Sequence, residues 1–165
     1  MRSVLFCVVA GMVLVGCGES SEGQAEILPH LSPIQLGKFW PQGNETPEPG
    51  NRDRTPYEFV LLLQSTGDAD LVVDRVCVGG SDNFELEGPV PATIPAGDQG
   101  AVRITYIRNS PGADNAAIVV RSNAGALPEL VVPLCAQVVA DGEDKTLVNP
   151  CEITDELASQ TISEC

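Results

Sequence analysis

Residues Leu61–Leu86, "LLLQSTGDADLVVDRVCVGGSDNFEL", decide the fold. Apolar side chains recur at every second position on either side of "STGDAD", and helical spacing is absent. The Ser, Gly and Asp of that hexad, and the Gly, Ser, Asp and Asn of "VGGSDN" further on, are residues that close turns. The stretch therefore reads as strand, turn, strand, turn.

The same period of two extends outward from about Leu28 to Val139. "YEFVLLLQ" places Tyr57, Phe59, Leu61 and Leu63 on one face. "AVRITYIR" turns Val102, Ile104 and Tyr106 inward, with Arg103, Thr105 and Arg108 toward solvent or the boundary. "NAAIVVRSN" turns Ala116, Ile118 and Val120 inward and Arg121 outward. "ELVVPLCAQV" puts Leu130, Val132, Leu134 and Ala136 on one face and Cys135 on the other. Pro133 has no N–H to give a ladder, so this strand is expected at an edge or bulged there. "IPAGDQG", "NSPGADN" and "SNAGALP" supply further turns. Short, evenly spaced strands with one apolar face each predict a two-sheet antiparallel sandwich, each sheet hiding its apolar face on the other.

These residues resemble the bacterial Ig-like domains of the choice-of-anchor D type, related to the ASPM–Hydin (ASH) and major-sperm-protein-like sandwiches. "LSPIQLGKF" resembles their opening strand. Leu61–Leu86 resembles their signature of strand, tight turn at Gly67, "L-x-V-x-x-V", glycine and buried Phe. "IPAGDQGAVRITYI", "AAIVVRSNA" and "VVPLCAQV" resemble the later strands. The resemblance implies an all-β, Ig-like antiparallel sandwich of about seven strands over residues 28–140. Its motifs are structural and bring no catalytic residues with them.

Toward the amino terminus, Arg2 precedes an uncharged run from Ser3 to Val15 that is shorter than the roughly 20 apolar residues of a membrane-spanning helix. A charged start, a short apolar core and small residues at the end make a secretory signal. It ends in Leu14-Val15-Gly16-Cys17, which resembles the lipobox of bacterial lipoproteins. The resemblance implies cleavage after residue 16, diacylglycerol on Cys17, and anchoring by two or three acyl chains, which hold where one does not. Residues 17–27 then form the lipidated cysteine and a polar tether. Gly18, in place of Asp, lacks the enteric inner-membrane retention pattern, so the outer membrane or cell surface is favoured.

The formal charge is −14, and loss of the signal with Arg2 makes it −15. Such a charge disfavours nucleic acid and anionic lipid headgroups as partners. Cys7 leaves with the signal; with Cys17 lipidated, Cys77, Cys135, Cys151 and Cys165 remain, an even number in an exported chain, which favours disulfides. Of three pairings, Cys77–Cys135 and Cys151–Cys165 is the expectation, the second closing the acidic tail of residues 141–165 on itself; a bridge from the tail to Cys77 or Cys135 is the alternative. Within the tail, Ile153, Leu157 and Ile162 suggest a short helix.

"PQGNETPEPGNRDRTP", Pro41–Pro56, is long for a link between strands. It reads either as a recognition loop carrying Arg52 and Arg54 with Trp40 as aromatic anchor, or as a solvated insertion with Trp40 in the core. Asp68, Asp70 and Asp74, and Asp141, Glu143 and Asp144, are carboxylate clusters without EF-hand spacing. His30 is the sole histidine, and no nucleophile motif, Walker loop or H-E-x-x-H accompanies it. The expectation is a non-catalytic, cofactor-free envelope lipoprotein whose Ig-like module binds or spaces other proteins. The alternative is an accessory that binds a ligand or calcium.

Overall fold

The structure, a computed structural model, describes residues 23–39, 56–108, 110–140 and 151–165. These residues form an Ig-like β-sandwich with one helix. The strands are β1 (Ile27–Pro29), β2 (Ile34–Phe39), β3 (Tyr57–Ser65), β4 (Leu71–Gly80), β5 (Phe84–Glu87), β6 (Thr93–Ile94), β7 (Gln99–Tyr106), β8 (Gly112–Ser122) and β9 (Glu129–Val138); the helix is α1 (Asp155–Glu164). One sheet has the order β1-β3-β7-β5 and the other β2-β9-β8-β4-β6.

The alternation read in the sequence becomes the core. Leu61, Leu63, Val102, Ile104 and Tyr106 from the first sheet face Ile118, Val120, Val132 and Leu134 from the second, all at most 1% exposed. Burying each such side chain contributes about 1.5–3 kcal/mol. Gly67 closes the β3–β4 turn because a Cβ there would strike the Gln24 carbonyl. Gln24 also donates its N–H to Asp68 Oδ1 (2.7 Å), and Ala25 and Ile27 are buried, so the stretch expected as tether packs on the domain at its end.

Two strand arrangements depart from expectation. The opening segment serves both sheets: β1 pairs with β3, the chain turns at the cis Ser32–Pro33 peptide, and β2 runs parallel to β9. That parallel pair makes β9 an interior strand. Pro133 is accommodated because β2 begins pairing one residue later, at Leu134, and the bulge lies in β2 between Gln35 and Gly37.

The cysteine pairing also differs. Cys77 bonds Cys165 and Cys135 bonds Cys151, in place of Cys77–Cys135 and Cys151–Cys165. A register shift between Val73 and Arg75 explains where Cys77 points. Val73 faces the core, and after the shift Val76 does, which leaves Cys77 and Gly79 on the outer face of the sheet. Cys135 lies on that same outer face two strands away, and the tail crosses it and bonds to both.

Residues 151–165 are thus fastened to the sandwich. Thr154 caps α1, its Oγ1 accepting from Leu157 N (3.1 Å). The helix packs on β4 and β8, over Ala117 and Val119, which are 0% exposed although they lie on the face opposite the core. Arg121 donates to the Ile162 carbonyl (2.9 Å) and Arg75 to the Cys165 carbonyl, so both arginines cap the carbonyl end of the helix, where positive charge is favoured.

Candidate interaction site

At one end of the sandwich a buried carboxylate gathers three donors. Asp114, early in β8, accepts from Tyr106 Oη (2.6 Å) at Oδ2, and from Ser81 Oγ (2.6 Å) and Asn83 Nδ2 (2.9 Å) at Oδ1. Burial, with this hydrogen bond to Asp114 added, pushes the Tyr106 hydroxyl well above its ordinary value, so it remains a donor. The Tyr106 ring stacks on Phe84 (centroids 4.6 Å) and meets Phe39 at 5.5 Å. Phe39 in turn touches Tyr57 (5.1 Å) and lies beneath the Arg108 guanidinium (5.6 Å). The carboxylate is satisfied by these three donors, and the network locks the ends of β2, β3, β7 and β8 together.

Beside it lies a groove of about 400 Å³ between the two sheets, walled by His30, Leu31, Pro33 and Leu36 on one side and Tyr57, Phe59 and Val60 on the other. It exists because the opening segment leaves β3 for the other sheet, so no strand covers the first part of β3 among the described residues. Leu31, Tyr57 and Val60 are 57%, 42% and 45% exposed, an apolar concentration along one edge. The site offers shape, apolar surface and backbone hydrogen-bonding groups.

Cys17, Trp40, Arg52 and Arg54 lie outside the described residues, as do Asp141, Glu143 and Asp144. Phe39 and Tyr57, close to the two ends of the long connection, are in contact. Asp68 and Asp70 are engaged with backbone N–H groups, of Gln24 and of Ala96 (3.1 Å) respectively. Among the described residues no three His, Cys, Asp or Glu side chains gather to hold a metal ion. His30 is exposed, and its N–H donates to the Leu62 carbonyl (2.9 Å). Asp114 was legible only as a turn former, and no pattern marked it as the hub of the buried network.

No family model matches the chain, and no curated protein matches it in sequence. Solved structures share its shape. A protein of unknown function from Porphyromonas gingivalis superposes with a TM-score of 0.53 at 12% identity, over 69% of this chain and 47% of that one. The chain thus spans about half the length of that neighbour. The secreted serine protease VesC from Vibrio cholerae gives 0.49 at 12% identity, over 70% of this chain and 23% of the protease. The ASH / PapD-like domain 7 of human CEP192 gives 0.47 at 16% identity, over 71% and 87%. At 12% identity the likeness to the Porphyromonas gingivalis protein is one of fold alone. The class defined by fold and site together is an Ig-like sandwich with a divided first strand and a disulfide-clipped helix.

Proposed function

We propose that the chain is a non-catalytic, lipid-anchored module of a bacterial envelope that binds or spaces other envelope proteins. Cys17 carries the lipid, the short polar segment behind it sets the domain off the bilayer, and the outer membrane or cell surface is its place. The observation that supports an interaction role best is the apolar groove beside the part of β3 that no strand covers among the described residues, since monomeric domains rarely leave such an edge open. The ligand or calcium alternative finds less support, because Asp68 and Asp70 are committed to backbone amides.

The test is chemical crosslinking in native membranes, followed by recovery of the tagged protein and identification of what accompanies it. A reproducible envelope partner supports the reading, and its loss on deletion of Pro41–Pro56 would place contacts on that connection. Absence of any partner, under conditions that capture known envelope complexes, counts against an interaction role. Cys17→Ser tests the anchor: the variant should leave the membrane fraction or accumulate with its signal attached.

A further inference from the structure

β3 runs from Tyr57 to Ser65, yet β1 pairs only with Leu63, Gln64 and Ser65. The His30 N–H adds one bond to the Leu62 carbonyl, and the chain then leaves for the other sheet. Along a strand, alternate residues aim their N–H and C=O at opposite edges. Ser65 bonds toward β7, through Asp98 O and Gly97 N, whereas Leu62 bonds toward β1. Even-numbered residues of β3 therefore face the β1 side, and Glu58 and Val60 continue that row past the end of β1. Among the described residues no strand pairs with either on that side; their neighbours across the sheet, Thr105 and Arg103, belong to β7 on the other. The open row is about five residues, or about 17 Å, long.

The chemistry around this edge is specific. A strand added here would send alternate side chains into the groove against Phe59 and Leu36, and the others over the outer face beside Val60 and Glu58. Small β-branched or aliphatic residues suit the first set. On the outer face, opposite charges across a pair stabilise and like charges repel. Glu58 sits on that face; across β7, Thr105 separates it from Glu85, and Arg103 stands between Val60 and Glu87, so Glu58 is the charge in the open row itself. The whole chain carries −14. A second copy would bring the same charge to the contact.

We propose that the open half of β3 receives an extended, cationic segment of a partner protein as an added strand, its alternate apolar residues filling the groove. This deepens the interaction reading above and rests on it. Main-chain bonds to Val60 and Glu58 supply the pairing, Phe59 and Leu36 select apolar side chains, and Glu58 selects lysine or arginine.

The probe is a fluorescent nine-residue peptide of alternating valine and threonine with a lysine at each end, titrated onto the full mature chain in detergent. Two controls accompany it: the same peptide with glutamate ends, and the lysine peptide N-methylated at alternate amides along one edge. The lysine peptide should bind, more weakly as salt rises. The glutamate version should bind at least about tenfold more weakly, and one of the two N-methylated edge patterns should not bind. Val60→Pro removes an N–H that the β7 ladder does not use. It should leave the melting temperature near that of the parent and weaken the peptide about tenfold. If that variant misfolds, the N-methylated probes decide alone. Absence of binding at millimolar peptide, or equal binding of both N-methylated forms, overturns the proposal. So does a dimer in sedimentation that Val60→Pro dissolves, because a second copy then owns the edge. If the peptides fail while crosslinking still captures an envelope partner, this edge falls and the module reading stands.

Discussion

Cys77 and Cys165 are bonded across a sequence separation of 88, with Cα atoms 5.6 Å apart, so the end of α1 is fastened to the middle of β4. Cys135–Cys151 closes a separation of 16 on the neighbouring part of the same sheet face. Non-reducing peptide mapping should recover these two pairs, and recovery of Cys77 with Cys135 would sink the described path of the tail. In the chain-entropy account the longer loop contributes about 4.6 kcal/mol and the shorter about 3.1 kcal/mol. Cys165→Ser should therefore lower stability more than Cys151→Ser does, as read from urea unfolding of the two variants.

At Gly79 the helix lies against the sheet with no room for a side chain. A Cβ on Gly79 would lie 2.5 Å from Thr161 Oγ1 and 2.8 Å from its Cγ2. Thr161 is itself 2% exposed. Gly79→Ala should cost about 1–3 kcal/mol through overpacking. In a Thr161→Ala background the same change should cost clearly less, since two of the clashing atoms are gone. A double-mutant cycle that finds the two changes additive would show that α1 does not rest on Gly79.

How much of this could be read beforehand depends on which interactions are local. The inward faces of β7, β8 and β9 follow from period two, and Cys135 fell on its outer face for the same reason. The short helix was visible in Leu157 and Ile162, although Ile153 lies ahead of its Thr154 cap, and the turn at Gly67 was visible in its residue types. The disulfide pairing was not, because it hangs on one inserted position near Asp74 that reverses the facing of Cys77 without altering the apolar pattern around it. The burial of Ala117 and Val119 is equally nonlocal, since a strand covered on both faces is recognised only once its cover is known. The groove arises from the departure of the chain between His30 and Ile34, which alternation does not encode. The Tyr106–Asp114 bond joins a strand residue to a position read as turn, and β8 reaches back through that turn to Gly112.

Ser65 ends β3 with its side chain 0% exposed and its Oγ without a hydrogen-bond partner among the described residues. An unpaired hydroxyl in an apolar core opposes folding. Ser65→Ala should raise stability by about 1 kcal/mol, an increase measurable as a higher midpoint in urea with an unchanged slope. A loss of stability instead would mean that the hydroxyl is bonded after all.

Calcium should leave the domain unaffected. A ligand of the folded state raises apparent stability by mass action, and the Asp68 and Asp70 carboxylates already hold the amides of Gln24 and Ala96. Melting temperatures at millimolar calcium and with chelator should agree. A rise with calcium would restore the ion-binding alternative and point to carboxylates outside the described residues.

The Tyr106–Asp114 pair gives stability an alkaline limit. The Tyr106 hydroxyl is buried and donates to Asp114 at 2.6 Å, which raises its titration above the ordinary value of 10.0. Below that value folded and unfolded chains are both protonated, and the contribution is fully present. As pH climbs past it, the unfolded chain releases the proton while the folded chain keeps it, so the unfolded state gains and stability falls, by at most about 1.4 kcal/mol per pH unit for this group. Tyr106→Phe removes the titrating group, so its stability should decline less steeply than that of the parent above about pH 10. At neutral pH the same variant should be less stable, because Asp114 keeps Ser81 and Asn83 but loses its bond from β7. Urea unfolding of both proteins at a series of alkaline pH values measures the difference, and parallel curves would show that the hydroxyl titrates as it does in the unfolded chain.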